Sequence, residues 1–360
     1  MARRATLKDV AQAAGVSVTT VSLVLNGRPA RVSMEKRELI AKAAKELHYV
    51  PNQSARSLVT KQSKLVALIV PDIENLFFAA LSKCVEDECA AQGYSLIVAN
   101  SDDSRTVEHD LMVRLSSRGV DGMMLIPARE SCASEDKLQA DVEQVACPVV
   151  LIDRLVQNGW CDAVGFDNYV GGQLAARYLL EEGHRHIGIV TGDVAESSAF
   201  DRKRGFMDAV EQAGEHFDPA LCVAGDYRFD SGYQAADRIV DGGATAVFCC
   251  NDVMALGFRQ RLAERGLQVP QDMRVIGYDN ILNRFGLGMH MTTVEQSVAE
   301  LAAACWQMLS TRIDVAIGRT GAGKSEDDSE SEDAQGGERP WLSRPRVQVL
   351  TPRLVQAVRV

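Results

Sequence analysis

The N-terminal stretch Thr6-Leu-Lys-Asp-Val-Ala-Gln-Ala-Ala-Gly15-Val-Ser17-Val-Thr-Thr-Val-Ser22-Leu-Val-Leu25-Asn26 decides the first part of the fold. Thr6 is placed to cap a helix, Gly15 supplies a tight turn, and Ser17 is placed to cap a second helix. The first helix has apolar residues on one face, at positions Leu7, Val10, Ala11 and Ala14. The sequence therefore predicts a helix-turn-helix, a motif that places its second helix in the major groove of DNA.

The second helix divides into a face for the protein core and a face for DNA. Val16, Val21 and Val24 are predicted to point into the core, which leaves the polar side outward. Candidate DNA-binding residues in this region are Thr6, Ser17, Val18, Thr19, Thr20, Ser22, Leu23 and Asn26. An ordinary hairpin of two helices is the alternative, and the distribution of charge favours DNA over it.

Charge is unevenly distributed along the chain. Residues 1–64 contain twelve Lys or Arg and four acidic residues, a net charge of +8. The whole chain carries −10, so the remaining residues carry −18. A cationic end on an acidic body concentrates the phosphate contacts at that end.

A third helix and a linker follow the helix-turn-helix. Ser33 is placed to cap a helix from Met34 to Leu47, which completes a three-helix head. Pro51 ends that region, and residues 52–60 are predicted to form a short helix that inserts an apolar wedge, Leu58, into the minor groove. The DNA-binding candidates of this linker are Asn52, Ala55, Arg56 and Leu58. The predicted domains are residues 1–50 (head), 51–62 (linker) and 63–360.

From Lys64 onward, short apolar runs alternate with amphipathic helical segments, which predicts an α/β fold with parallel sheets. A break near Asp162–Gly172 is predicted to separate two similar lobes that face each other across a cleft. The predicted strands are Leu65–Pro71, Ser95–Asn100, Gly122–Pro127 and Pro148–Asp153, then His186–Thr191, Leu221–Ala224, Ala246–Cys250 and Arg274–Asp279.

Ligands of open α/β sheets bind beyond the carboxyl ends of the strands, so polar and aromatic residues there are candidates for a binding site. Arg202, Asn251 and Asp279 offer a donor fork, an amide and a carboxylate, which suit a polyhydroxyl ligand, and aromatic rings supply faces for a sugar. Asp72 and Asp252 also follow strands but can equally cap helices. The predicted effector-binding residues are Asn75, Phe77, Phe78, Asp153, Arg154, Ser198, Arg202, Tyr227, Asn251 and Asp279.

Composition narrows the class of protein further. The nine cysteines are scattered through apolar segments without metal-ligand spacing, which predicts reduced thiols in a cytoplasmic protein and no metal or other cofactor. We find no signal peptide and no stretch of about 20 apolar residues, so we expect no membrane partner. We expect no enzyme activity, because the chain lacks a dinucleotide fingerprint and a nucleophile with a clear base. A solute-binding protein remains an alternative, but such proteins are exported, and here a basic head stands where a signal sequence would be.

Nearly the whole chain resembles the LacI/GalR family of bacterial transcriptional regulators, which are lactose-repressor-like proteins. The matching stretches are Thr6–Asn26, Tyr49–Leu58, Gly183–Gly188, Arg202–Phe206, Asn251–Gly257, Val269–Asn280 and Thr351–Val355. The resemblance implies a helix-turn-helix head, a two-lobed periplasmic-binding-protein-like domain, and a homodimer that binds a pseudo-palindromic operator. It also implies base reading by Val18, Thr19 and Leu23, wedging by Leu58, and effector contacts by Arg202, Asn251 and Asp279.

The chain departs from relatives in this family in three ways. Leu23 stands where many relatives have an arginine, so it can touch a thymine methyl but cannot make a bidentate guanine contact. An acidic insertion at about 318–338 is expected to be a disordered surface loop, and its Gly-Lys-Ser phosphate-loop match lacks the required strand and helix. Purine-binding relatives have an arginine and a threonine where this chain has Glu196 and Ser198. We therefore predict a repressor released by a small sugar, with a purine corepressor as the alternative.

Overall fold

The computed structural model describes residues 5–25, 29, 31–49, 62–156, 158–193, 197–287, 291–318 and 344–357. The chain divides into two compact units, Met1–Ser63 and Lys64–Val360. The predicted linker of residues 51–62 and the acidic insertion of about 318–338 lie almost entirely outside the described residues. The finer domain boundaries therefore stay a prediction.

The described part of the first unit forms three helices, α1 (Leu7–Ala14), α2 (Val18–Leu25) and α3 (Met34–Glu46). Thr6 and Asp9 form a capping box at the start of α1, and Gly15 ends it with φ 62°. Val10, Val21 and Ile40, one from each helix, are fully buried together. This small core fixes the angle between α1 and α2.

Thr6→Ala is expected to destabilise α1 by about 1 kcal/mol, because the helix loses a cap that accepts the amide hydrogen of Asp9. Hydrogen exchange of the α1 amides in the full chain would measure this loss. Thr19→Ala is the matched control, since Thr19 is exposed in the first turn of α2 and does not contact α1 as a cap. Equal protection of α1 in both variants would contradict the prediction.

The second unit is built from two six-stranded sheets covered by helices on both faces. The helices are α4 (Leu76–Ala91), α5 (Arg105–Ser117), α6 (Arg129–Cys132), α7 (Glu135–Gln144), α8 (Asn168–Glu181), α9 (Ser197–Gln212), α10 (Phe229–Asp241), α11 (Asp252–Glu264), α12 (Ile281–Arg284) and α13 (Val298–Ala316), with a 3-10 turn at Pro219–Leu221. The strands are β1 (Leu65–Val70), β2 (Ser95–Asn100), β3 (Gly122–Leu125), β4 (Val149–Ile152), β5 (Asp162–Phe166), β6 (Ile187–Thr191), β7 (Cys222–Ala224), β8 (Ala246–Cys249), β9 (Arg274–Asp279), β10 (Thr293–Glu295), β11 (Val347–Leu350) and β12 (Arg353–Val355).

The strand order defines two lobes. The first sheet runs β11-β5-β4-β3-β1-β2 with every pair parallel, and the second runs β12-β10-β9-β8-β6-β7 with only β12 antiparallel. Each of the eight strands expected from the sequence is present. Within the ranges that the structure describes, the chain crosses between the lobes three times, after β5, after β10 and between β11 and β12. The doubly wound, two-lobed α/β fold agrees with the prediction.

The crossing after β5 falls within Asp162–Gly172, where the break between the lobes was expected. The expectation missed that Asp162–Phe166 is the buried strand β5, which the helix α8 follows at once. The carboxylate of Asp162 is buried where β5 begins and accepts hydrogen bonds from Arg312 at 2.7 Å and from the Arg346 amide at 2.8 Å. Strand β5 was missed because it is short, contains glycine and starts with a charged residue whose partners lie far along the chain.

Among the helices in these described ranges, none combines the length and apolar character needed to cross a membrane.

Candidate functional site

The described part of the head presents a small polar surface along α2. Val18 has 39% of its surface exposed, Thr19 is exposed, and Ser22 and Leu23 are half-buried. The Ser17 hydroxyl accepts the Thr20 amide hydrogen at 3.1 Å and lies 2.8 Å from the Thr20 hydroxyl, so these two groups shape the start of the helix. The predicted DNA contacts Asn26, Asn52, Ala55, Arg56 and Leu58 lie outside the described residues.

A cavity between the two lobes, here named the inner cavity, lies beyond the carboxyl ends of the strands. All ten predicted effector residues line it, together with Gln296, which the sequence analysis missed. The lining residues are Asn75, Phe77, Phe78, Asp153, Arg154, Ser198, Arg202, Tyr227, Asn251, Asp279 and Gln296. Gln296 follows the three-residue strand β10, and recognition of that strand would have pointed to it.

Arg202 is the central cation of the inner cavity and is almost fully buried. Its Nε donates to the Asn168 amide oxygen at 2.7 Å and its Nη1 to the Cys250 carbonyl at 2.7 Å. The guanidinium also stacks on the ring of Tyr278, 3.9 Å from the centroid. These contacts hold the planar donor group in one orientation, ready for a ligand oxygen.

Burial by itself lowers the pKa of Arg202, but the neighbouring tyrosines Tyr278 and Tyr227 and the carboxylate of Asp279 raise it above its usual value. The guanidinium therefore stays charged at any pH at which the protein is folded. Burial raises the pKa of Asp279 to about 7, an effect that Arg202 opposes and that the carboxylates of Asp252 and Asp153 reinforce. The site thus holds a fixed positive charge beside a carboxyl group that titrates near neutral pH.

Asn251 and Asn75 are helix caps as well as lining residues. The Asn251 side chain accepts the Met254 amide hydrogen at 2.8 Å and donates to the Tyr227 carbonyl at 2.9 Å. Asn75 accepts the Phe77 amide hydrogen at 2.9 Å and begins α4. Capping fixes both amides at the edge of the inner cavity.

Aromatic rings form the apolar part of the lining. The rings of Phe77 and Phe78 meet edge to face, with centroids 5.7 Å apart. Tyr227 lies in the other lobe, and a Cβ on Gly192 would come within 2.1 Å of its ring. The ring position therefore depends on glycine at 192.

Asp252 and Asp72 do not line the inner cavity. Asp252 accepts the Ile281 amide hydrogen and the Thr293 hydroxyl hydrogen, both at 2.7 Å, so it connects α11 to α12 and β10. Asp72 accepts a hydrogen bond from Arg228 of the other lobe at 2.9 Å. Neither aspartate is the N-cap of α11 or α4, because Asn251 and Asn75 take those positions.

Close packing of α8 on α9 places Arg202. A Cβ on Gly172 would lie 2.0 Å from the Arg202 carbonyl oxygen, and a Cβ on Gly205 would lie 2.0 Å from the Tyr169 carbonyl oxygen. The two backbones therefore touch where the chain has glycine on both helices.

Gly172→Ala is expected to destabilise the second unit by about 3 kcal/mol, because the added methyl collides with backbone rather than with a side chain that can turn away. Thermal unfolding followed by circular dichroism would measure this loss. Gly183→Ala is a useful control, since nothing lies within 4 Å of its added Cβ and its cost comes from φ 90° alone. Equal stability of Gly172→Ala and the native chain would contradict the close packing.

Comparison with known proteins agrees with this architecture. The model of the periplasmic binding proteins and sugar binding domain of the LacI family matches residues 63–330, and the model of the bacterial regulatory proteins of the lacI family matches residues 6–52. The HTH-type transcriptional repressor PurR of Pasteurella multocida is 37% identical over 311 residues, which cover 86% of this chain and 92% of the relative.

Two solved structures illustrate the similarity in fold. A lac repressor dimer bound to operator and the anti-inducer ONPF superposes with a TM-score of 0.80 at 24% identity, over 98% of both chains. A LacI family regulator from Enterococcus faecium with bound ribose superposes with a TM-score of 0.65 at 26% identity, over 82% of this chain and 100% of that one. With a helix-turn-helix head and a two-lobed effector-binding domain, the chain belongs to the LacI family of bacterial transcriptional regulators, as a repressor.

Proposed function

We propose that this chain is a homodimeric repressor that leaves its operator when a small sugar of the pentose class binds in the inner cavity. The observation that carries the proposal is the convergence of Arg202, Asn251 and Asp279 beside aromatic rings, between two lobes. In the proposed dimer, each head binds one half of a pseudo-palindromic operator, as the two-fold symmetry of such repressors requires.

The donors and acceptors of the inner cavity match a ring that carries several hydroxyl groups. A guanidinium donates to sugar oxygens, a carboxylate accepts from adjacent hydroxyl groups, and an amide does both. The rings of Phe77, Phe78 and Tyr227 cover the apolar face of such a ring. A ribose-bound relative of the same family supports this class of ligand.

The size of the inner cavity explains how a ligand can act on the protein. Its volume is about 40 Å³, well below the roughly 300–1,000 Å³ of pockets that hold organic ligands. A sugar therefore needs the lining side chains or the lobes to move apart. Since Asn75 and Arg154 belong to one lobe and Arg202 and Asp279 to the other, the bound ligand favours one angle between the lobes over another. A dimer whose DNA affinity depends on that angle then responds to the ligand.

A purine corepressor is the second candidate, because the relative from Pasteurella multocida that is 37% identical is named HTH-type transcriptional repressor PurR. Against it stand Glu196 and Ser198, which replace the arginine and threonine that purine-binding relatives carry. Ser198 is buried and lines the inner cavity, whereas Glu196 lies outside the described residues. The two candidates predict opposite effects on DNA binding. A sugar effector would release the protein from its operator, whereas a purine corepressor would be needed for the protein to bind it.

The test is fluorescence-anisotropy titration of palindromic duplexes with a central CG step, at one salt concentration, with D-ribose, D-xylose, D-glucose, hypoxanthine or guanine. We expect specific binding of one duplex that a pentose weakens by at least tenfold. DNA binding that requires a purine would replace the proposal with the second candidate. Specific binding that no sugar changes would contradict the assignment of the effector.

A further inference from the structure

A second and much larger cavity adjoins the inner cavity between the lobes. Its volume is about 940 Å³, and we name it the outer chamber. Asp153 and Ser198 line both spaces, so a ligand in one can continue into the other. Other described residues that line the outer chamber include Ser134, Lys137, Asn158, Phe200, Asp201 and Arg204.

The two volumes suggest how a ligand is divided between them. Pockets for organic ligands measure roughly 300–1,000 Å³, a range that includes the outer chamber and excludes the inner cavity. A bare pentose would use the groups around Arg202 and leave most of this space to solvent. A ligand with a second moiety on the sugar would use both spaces.

The chemistry of the outer chamber favours a flat ring with polar edges. Phe200 leaves 49% of its surface exposed, although it is a large apolar side chain on a well-formed helix. The Arg204 guanidinium lies 5.6 Å from the Phe200 ring centroid and 3.0 Å from the Asp201 carboxylate. Aromatic rings and guanidinium planes stack on nucleobases, and carboxylates and amides pair with their edges. A purely apolar substituent would instead bury the charges of Asp201, Arg204 and Lys137 without offering them a hydrogen bond.

Asp153, at the junction of the two spaces, has the backbone of a functional position. Its φ is 67°, in the left-handed region that aspartate adopts at a cost, directly after the buried strand β4. Such strained residues occur often at ligand clamps. The strain turns the chain at the place where a ligand would pass from the inner cavity to the outer chamber.

We propose that the outer chamber is a second subsite, which takes the base of a ribonucleoside whose ribose occupies the inner cavity. The inference rests on the proposed function, because the ribose is the sugar assigned to the Arg202 site. In this arrangement Phe200 stacks on the base, Arg204 and Asp201 contact its edge, and Asp153 and Ser198 contact the region of the glycosidic bond.

The test is isothermal titration of the full chain with D-ribose, adenosine, inosine, cytidine and uridine, each in turn. We expect at least one nucleoside to compete with D-ribose and to bind at least about five times more tightly, since stacking of one base contributes about 1–3 kcal/mol and 1.4 kcal/mol is tenfold. Phe200→Ala is expected to remove that advantage and to leave the Kd of D-ribose within twofold. Phe285→Ala, which removes an exposed ring of the same lobe that lines neither the inner cavity nor the outer chamber, is the matched control and should change neither affinity.

The outcomes separate this inference from the proposed function. If D-ribose binds but every nucleoside binds more weakly or fails to compete, the second subsite is wrong and the sugar site stands. Tighter binding of the disaccharide cellobiose than of any nucleoside would also overturn it, as would an equal loss of both affinities in Phe200→Ala. If neither ribose nor a nucleoside binds, both proposals fail.

Discussion

Arg202→Ala is expected to abolish the response to the effector while the chain still binds its operator. Arg202 lines the inner cavity, and its guanidinium is held in one orientation by Asn168, Cys250 and Tyr278. Hydrogen bonds to a charged group contribute about 1.5–3 kcal/mol each, so loss of two to a sugar weakens binding by at least 100-fold. Anisotropy titration of the operator, with and without the sugar, measures both properties in one experiment.

The same substitution also removes the partner of buried polar groups, so its effect on folding has to be measured separately. Arg202→Lys keeps the charge but replaces the planar fork by a single ammonium, and an intermediate loss of effector affinity is expected. Arg177→Ala changes an exposed arginine of α8 and should behave as the native chain. Unchanged induction in a folded Arg202→Ala variant would show that the effector binds elsewhere.

The strand-end rule explains how much of the site could be predicted from sequence. Parallel strands bring their carboxyl ends to one edge, so Asn75, Asp153, Tyr227, Asn251 and Asp279 could be grouped without any knowledge of distances. The structure places all of them around one cavity. Their role in ligand binding stays a prediction.

Other features could not be predicted, because they depend on contacts between distant parts of the chain. Gln296 follows a strand of three residues, too short to show a pattern. Asn168 holds three side chains of the site in place, since its amide oxygen accepts hydrogen bonds from Arg202, Gln296 and Tyr278. The volume of the outer chamber likewise has no counterpart in the local sequence.

The capping residues illustrate a different limit. Both Asn251 and Asp252 are good N-cap residues, and sequence preference does not decide between neighbours. In the structure Asn251 caps α11, while Asp252 is turned into the protein and accepts the amide hydrogens of Ile281 and Leu282. Burial raises the pKa of Asp252 to about 6, although its hydrogen bonds favour the charged form. The position of the Asp252 side chain depends on α12, which begins 29 residues further along the chain.

Asp279→Asn is expected to stabilise the ligand-free protein above pH 7 and to weaken binding of the effector by about 100-fold. Burial raises the pKa of Asp279 to about 7 in the folded chain, against an ordinary value near 4 when unfolded. The folded state therefore binds this proton more tightly, and the stability that the neutral carboxyl contributes is lost as the pH rises from about 4 through 7. At 1.36 kcal/mol for each pKa unit, the difference between the folded and unfolded pKa changes the free energy of unfolding by at most about 4 kcal/mol. Because the site relaxes when the carboxyl ionises, we expect Asp279→Asn to recover about 2 kcal/mol.

The affinity for the effector should depend on pH in the opposite sense to the stability of the ligand-free protein, because sugar hydroxyl groups donate to the ionised carboxylate. In the native chain, effector affinity is expected to rise between pH 6 and 8 while the stability of the ligand-free protein falls. Urea unfolding and sugar titration at pH 5, 6, 7 and 8 would measure both, and Asp279→Asn should flatten both curves. Asp110→Asn, at an exposed position on α5, should keep the native pH dependence. A native affinity that is constant over this range would mean that Asp279 stays in one protonation state or does not contact the sugar, and Arg202 would then have to bind it without a carboxylate partner.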